Sequence, residues 1–231
     1  MQEQINPQIK ICGITQKEEI QWLNEENVSY AGFVLYEKSS RYVPIYKVSE
    51  LFEDLNDNIK KVAVTVNPDI NMAKSVKKAG FDILQVHGNL TEDVLAMSEI
   101  PIWRAVNLTE KSDFETLVEK HMDRKNELTA KITAILMDAK EFGSGKTFGW
   151  DAFEKSEGQE QLKCFKQVLK SEKIQFVLAG GLAPDNVSRG IRIFTPDIVD
   201  VSSGVEKEPG KRAGKDPEKL REFVQKVKSA R

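Results

Sequence analysis

The stretch that decides the fold runs from Gln175-Phe-Val-Leu-Ala-Gly-Gly-Leu182 to Asp197-Ile-Val-Asp-Val-Ser-Ser-Gly204. Both segments open with a short apolar run, too apolar to leave one face in water, and both end in glycine or serine. The residues between them are enough for a crossover helix, so the pair reads as parallel strands in one strand-helix-strand unit. The same pattern recurs upstream at Ile9 to Ile14, Tyr30 to Leu35, Lys61 to Val66, Ile83 to Val86, Ile102 to Val106 and Thr133 to Asp138. With Gln175 to Ala179 and Asp197 to Val201 these make eight strand candidates.

The segments between the strands carry helix signals. Thr15-x-x-Glu18 and Ser112-x-x-Glu115 fit capping boxes, and Asp216-Pro217 reads as an N-cap followed by proline in the first turn. Val48, Leu51, Phe52 and Leu55 make one apolar stripe, as do Leu220, Phe223, Val224 and Val227, and Gly80 reads as a helix stop. Eight units in 231 residues is about 29 residues each, near the roughly 30 of a βαβ repeat. The expected class is therefore α/β, a single (β/α)8 TIM barrel. An open doubly wound sheet needs fewer strands, and the first turn, Cys12-Gly13-Ile14-Thr15, has no dinucleotide-binding glycine fingerprint. With no linker or low-complexity tract, residues 1–231 read as one barrel domain, residues 1–8 being a short N-terminal extension.

Composition narrows the function classes. The chain is 40% hydrophobic and 30% charged, enough apolar residues for a large core. Its 34 Lys and Arg nearly cancel its 36 Asp and Glu, which argues against a nucleic-acid partner. No apolar run reaches the roughly 18 residues of a membrane span, and the N-terminus lacks a secretory pattern. Two cysteines, Cys12 and Cys164, make no disulfide framework, so the cytoplasm is the expected compartment. His87 and His121 show no metal-ligand spacing with them, and no metal is expected.

In a barrel, chemistry collects at the C-terminal ends of the strands. Gly180-Gly181 and Ser203-Gly204, after neighbouring strands seven and eight, present backbone N–H groups suited to a phosphate, although Gly-Gly also simply makes tight turns. Cys12 and Asp138 would face each other across the mouth as general base and general acid. Against this, Cys12 also fits a small buried hydrophobe, and Asp138 a surface or capping carboxylate. His121 reads as structural within a helix, whereas His87 ends a strand where a ligand would sit. Gly143-Ser144-Gly145-Lys146-Thr147 ends like a nucleotide-binding P-loop, but the position five residues before Gly145 is Lys140, not glycine. It reads as a glycine-rich active-site loop carrying one cation, with a plain solvated loop as the alternative.

Taken together, Lys10-Ile-Cys-Gly-Ile-Thr15, Gly32-Phe-Val with Lys38-Ser-x-Arg-Tyr42, Gln85-x-His-Gly88, Asp138 before Gly143-Ser-Gly-Lys-Thr-Phe148, Gly180-Gly-Leu182 and Asp200-Val-Ser-Ser-Gly-Val-Glu206 form an ordered set. The set resembles the phosphoribosylanthranilate isomerase family of tryptophan biosynthesis, from about Lys10 to Val227. The resemblance implies a cofactor-free Amadori rearrangement, with Cys12 as general base and Asp138 as general acid. It implies that Arg41 holds the anthranilate carboxylate, that Asp200 is the strand-eight carboxylate near the sugar, that Gln85 and His87 are the substrate-binding pair of strand four, and that Gly180, Gly181, Ser203 and Gly204 cradle the phosphate. The expected partner is a small phosphoribosyl substrate, and the expected state a monomer. Departures are Glu37, Thr65 and Asn89, where many members carry proline, an aromatic and an acidic residue. Rival readings are a histidine-pathway isomerase, which uses two aspartates where this chain has Cys12, and a non-catalytic phosphate-ligand barrel.

Overall fold

The computed structural model describes residues 6–107, 131–138, 150–209, 211 and 214–230. Eight strands, β1 (Gln8–Cys12), β2 (Tyr30–Val34), β3 (Lys60–Val66), β4 (Ile83–His87), β5 (Ile102–Asn107), β6 (Ile132–Asp138), β7 (Gln175–Leu178) and β8 (Ile198–Val201), form a closed barrel in chain order. Every neighbouring pair is parallel, and β8 returns to β1 with Gln8 beside Ile198 and Lys10 beside Asp200. The expected (β/α)8 barrel is the observed one. The first strand begins at Gln8, not Ile9, and stops at Cys12, because the N–H groups of Gly13 and Ile14 both donate to the Gly32 carbonyl and end the ladder.

Side chains alternate across each strand, and this period of two sorts the core into two layers. Ile9, Ile11, Ala31, Phe33, Leu84, Val86, Ile135, Phe176 and Val199 pack outward against the helices. Cys12, Tyr30, Val62, Val64, Trp103, Leu136, Val177 and Ile198 fill the interior. Near the N-terminal end of the strands, Tyr30 and Trp103 meet edge to face at 4.9 Å between ring centroids. The barrel is thus a packed core with its polar groups toward the opposite mouth.

The helices follow their caps. Asp69 accepts from Met72 N–H at the start of Ile70–Lys78, which ends just before Gly80, as its sequence indicates. Asp216 accepts from the N–H groups of Glu218 and Lys219 at the start of Pro217–Ser229, and Leu220, Phe223, Val224 and Val227 are all buried. The first helix corrects one expectation. It runs Lys17–Glu26, and the carboxylate that reaches back is Glu19, accepting from Thr15 N–H at 2.6 Å and Gln16 N–H at 3.0 Å, while Glu18 is exposed. Glu19 wins because its other oxygen accepts from Lys215 N–H at 2.6 Å, a tertiary contact that no local spacing encodes. The Ser112-x-x-Glu115 box lies outside the described residues. Among those residues no helix is long and apolar enough to cross a membrane.

Candidate active site

Alternation carries polar groups inward at the C-terminal ends of the strands. Lys10 and Cys12 of β1, Gln85 and His87 of β4 and Asp200 of β8 are all buried. Asp138, last in β6, is half-buried and shares its face with the inward Ala134 and Leu136. Both halves of the expected acid–base pair therefore stand at the barrel mouth, with β7 and β8 between their strands on one side.

The electrostatics centre on a buried ion pair. Lys10 Nζ donates to Asp200 Oδ2 at 2.9 Å across the β1–β8 seam. Burial opposes the Lys10 charge, but Asp200 and Cys12 outweigh it and hold the ammonium above its ordinary range. Cys12 is held above its ordinary range: burial pushes the thiol up and Asp200 adds to this, outweighing Lys10 and Lys215, which pull it back. His87 is pushed down to about 3 by burial, by Lys10 and by Arg104, so its ring is neutral at working pH. The amide nitrogen of Gln85 lies 2.8 Å from His87 Nε2 and donates to it. Gln85 Oε1 and Asp200 Oδ1 are buried with no hydrogen-bond partner among the described residues. Such acceptors are costly to bury, and a polar ligand in the mouth would satisfy them.

Arg41 has a more constrained setting than its sequence suggests. Its Nε and Nη2 donate to both oxygens of Glu206, at 2.5 and 3.0 Å. Glu206, itself buried, also faces Lys215 Nζ at 3.4 Å, and Lys215 donates to the Ser202 carbonyl at 3.1 Å. Burial opposes the Arg41 charge, but Glu206 overcomes it, so the guanidinium is held in a fixed plane at the rim. Sequence reasoning missed Glu206 and Lys215 as site residues, because the run after Gly204 has the charge density of a solvated segment. A signal for Lys10 was a lysine between Ile9 and Ile11, at the head of the motif that carries Cys12.

The two glycine-bearing loops meet. Gly180 and Gly181 have φ of 81° and 69°, a region that favours glycine, and the Asn186 amide closes their turn by donating to the Gly181 carbonyl at 2.8 Å. Gly204 sits so close to this loop that a Cβ would lie 2.0 Å from the Leu182 carbonyl oxygen. Ser203 opens a single 3-10 turn, Ser203–Val205, and Ser202 Oγ donates to the Cys12 carbonyl at 3.0 Å. The residues expected to cradle phosphate are thus adjacent and tied to the end of β1. Thr65 falls on the outward parity of β3 with Ala63, its hydroxyl donating to the Gln85 carbonyl at 2.9 Å. The Gly143 to Thr147 loop and His121 lie outside the described residues. Among the described residues no three His, Cys, Asp or Glu side chains cluster to hold a metal.

Comparison with known proteins agrees with this fold. The family model described as N-(5′-phosphoribosyl)anthranilate (PRA) isomerase matches residues 9–226. The N-(5′-phosphoribosyl)anthranilate isomerase of Clostridium acetobutylicum is 35% identical over 226 residues, covering 95% of this chain and 97% of the relative. A solved phosphoribosyl anthranilate isomerase in complex with reduced 1-(o-carboxyphenylamino)-1-deoxyribulose 5-phosphate superposes with a TM-score of 0.75 at 27% identity, covering 96% of this chain and 98% of that one. Monomers of the dimeric phosphoribosylanthranilate isomerase from Thermotoga maritima superpose with a TM-score of 0.74 at 28% identity, covering 96% and 98%. An eight-stranded barrel carrying these strand-end groups, matched along nearly its whole length, identifies the chain as a member of the N-(5′-phosphoribosyl)anthranilate isomerase family.

Proposed function

We propose that Asp138 and Cys12 are the general acid and general base of the family's reaction, the isomerisation of N-(5′-phosphoribosyl)anthranilate to 1-(2-carboxyphenylamino)-1-deoxyribulose 5-phosphate in tryptophan biosynthesis. Asp138 protonates the ribose ring oxygen, and the ring opens to a Schiff base. The Cys12 thiolate removes the C2′ proton to give an enolamine, which tautomerises to the ketone as C1′ gains a hydrogen. One carbon is oxidised and its neighbour reduced, so the rearrangement balances without an external redox partner. The observation that carries this reading is that a thiol and a carboxyl close β1 and β6 on the same inner face of the barrel.

The remaining groups bind. The backbone of Gly180, Gly181, Ser203 and Gly204 holds the phosphate. Arg41, oriented by Glu206, meets the anthranilate carboxylate with the edge of its fork that Glu206 leaves open. Gln85 Oε1 and Asp200 Oδ1 accept from the sugar hydroxyls, and the neutral His87 fixes the Gln85 amide. The chain works as one barrel domain in the cytoplasm, as a monomer with a small-molecule partner and no nucleic acid. Among the described residues only Tyr46 and Met97 are large, apolar and exposed, which supports the monomer, and sedimentation equilibrium separates it from a dimer.

The test is turnover of freshly generated N-(5′-phosphoribosyl)anthranilate by the parent, Cys12→Ser and Asp138→Asn proteins. The expected result is an active parent and a loss of about a hundredfold or more in each folded variant. Near-normal turnover in either variant overturns the role assigned to that residue.

A further inference from the structure

The acid–base pair leaves one buried group without a task. Lys10 is fully buried in the barrel interior, an expensive place for an ammonium that acts on nothing. Its strand points it inward together with Cys12, while Ile9 and Ile11 on either side of it face the helices. On the neighbouring strand, opposite Cys12, stands Gly32. A Cβ on Gly32 would lie 3.0 Å from Cys12 Sγ and 3.0 Å from Lys10 Nζ, so the absent side chain is the space in which those two atoms approach each other. The two atoms therefore stand within about 6 Å of each other. On its other side Lys10 Nζ is fixed by Asp200 at 2.9 Å.

We propose that Lys10 is a positioning residue for the isomerisation: its ammonium, anchored by Asp200 and admitted by Gly32, is the countercharge beside which Cys12 holds its thiolate. This rests on the reading of Cys12 as the base. Removing a thiol proton inside a barrel leaves an anion in a medium that solvates it poorly, and a fixed cation close by offsets that cost. Among the charges facing Cys12, Lys10 favours its thiolate most, and Lys215 favours it less. Asp200 of β8 is an anion, and its charge opposes the thiolate. Arg41, from the loop after β2, and Lys215, before the last helix, are both cations, but they share Glu206. His87 of β4 is neutral. Lys10 is the cation whose charge most favours the thiolate.

The experiment reads the thiol directly. The full-length protein is alkylated with iodoacetamide from neutral to alkaline pH, and Cys12 and Cys164 are followed separately by mass spectrometry, the exposed Cys164 serving as internal control. In Lys10→Met the Cys12 rate at neutral pH should fall about tenfold or more and its pH profile should move up by about a unit or more, with Cys164 unchanged. The kcat should fall in step and partly recover at higher pH, while KM changes little. Gly32→Ala leaves every charged group in place and wedges a methyl between the pair, and it should shift the Cys12 profile in the same direction. In the parent, the 15Nζ resonance of Lys10 should titrate together with Cys12, a measurement that needs no variant. An unshifted Cys12 profile in a folded variant, or a Lys10 resonance indifferent to Cys12 ionisation, overturns the proposal. Failure of the underlying base assignment shows separately, as full turnover by Cys12→Ser.

Discussion

Replacing His87 by glutamine should remove an acid sensitivity that the fold builds into the barrel interior. In the folded protein the His87 ring titrates near 3, because it is buried and because Lys10 and Arg104 repel a third positive charge. In the unfolded chain an imidazole titrates near its ordinary value of about 6.5. The folded value is the depressed one, so the stabilisation is fully present above about 6.5 and drains away as pH falls towards 3. Each pKa unit crossed is about 1.4 kcal/mol, and by pH 5 the unfolded state has taken up nearly one proton that the folded state refuses. The parent should therefore lose about 2 kcal/mol between pH 7 and pH 5 from this group alone, or about 4 to 8 °C in Tm for a chain of this size. Glutamine keeps an acceptor oxygen for the Gln85 amide but cannot be protonated in this range. The assay is urea unfolding of parent and His87→Gln at both pH values, where His121 contributes equally to each. Equal losses in the two proteins would refute the argument, since they would mean that the fold does not hold this ring neutral.

Two further outcomes follow from the geometry of the site. Glu206→Gln removes the charge that pins Arg41, and since hydrogen bonds to a charged partner are worth about 1.5 to 3 kcal/mol, KM for N-(5′-phosphoribosyl)anthranilate should rise about tenfold or more with kcat changed far less. Steady-state kinetics check this, and an unchanged KM would show that Arg41 needs no such support. Gly204→Ala would drive a methyl into the Leu182 carbonyl, costing about 1 to 3 kcal/mol of stability and weakening inorganic phosphate binding, both measurable by thermal unfolding with and without phosphate.

Much of the architecture was legible because it depends on short-range patterns. Largely apolar runs of four to six residues mark buried strands wherever they fall, and β1 to β8 lie within a residue or two of the sequence-based segments. Asp216-Pro217 and the stripe from Leu220 to Val227 report a helix from local chemistry alone. The first helix was misread by one residue because Thr15-x-x-Glu18 and Gln16-x-x-Glu19 are locally equivalent, and the choice is made by Lys215, nearly two hundred residues away. Glu206 stands in the motif that begins at Asp200, but its pairing was illegible for the same kind of reason. A glutamate in a charged run reads as solvated until folding brings Arg41 and Lys215 against it.

The sequence by itself determined the eight-fold alternation of strand and helix, and the residue types at the strand ends. Period-two burial and turn chemistry act over a few residues and need no knowledge of distant partners. Tertiary structure alone decided how those ends interact. Closing β8 onto β1 sets Lys10 beside Asp200, the bare Gly32 lets that ammonium reach Cys12, and Gly204 admits the Leu182 loop. Whether a buried lysine is a liability or a countercharge depends on what lies within a few ångströms of it, and in this barrel those neighbours come from strands at opposite ends of the chain.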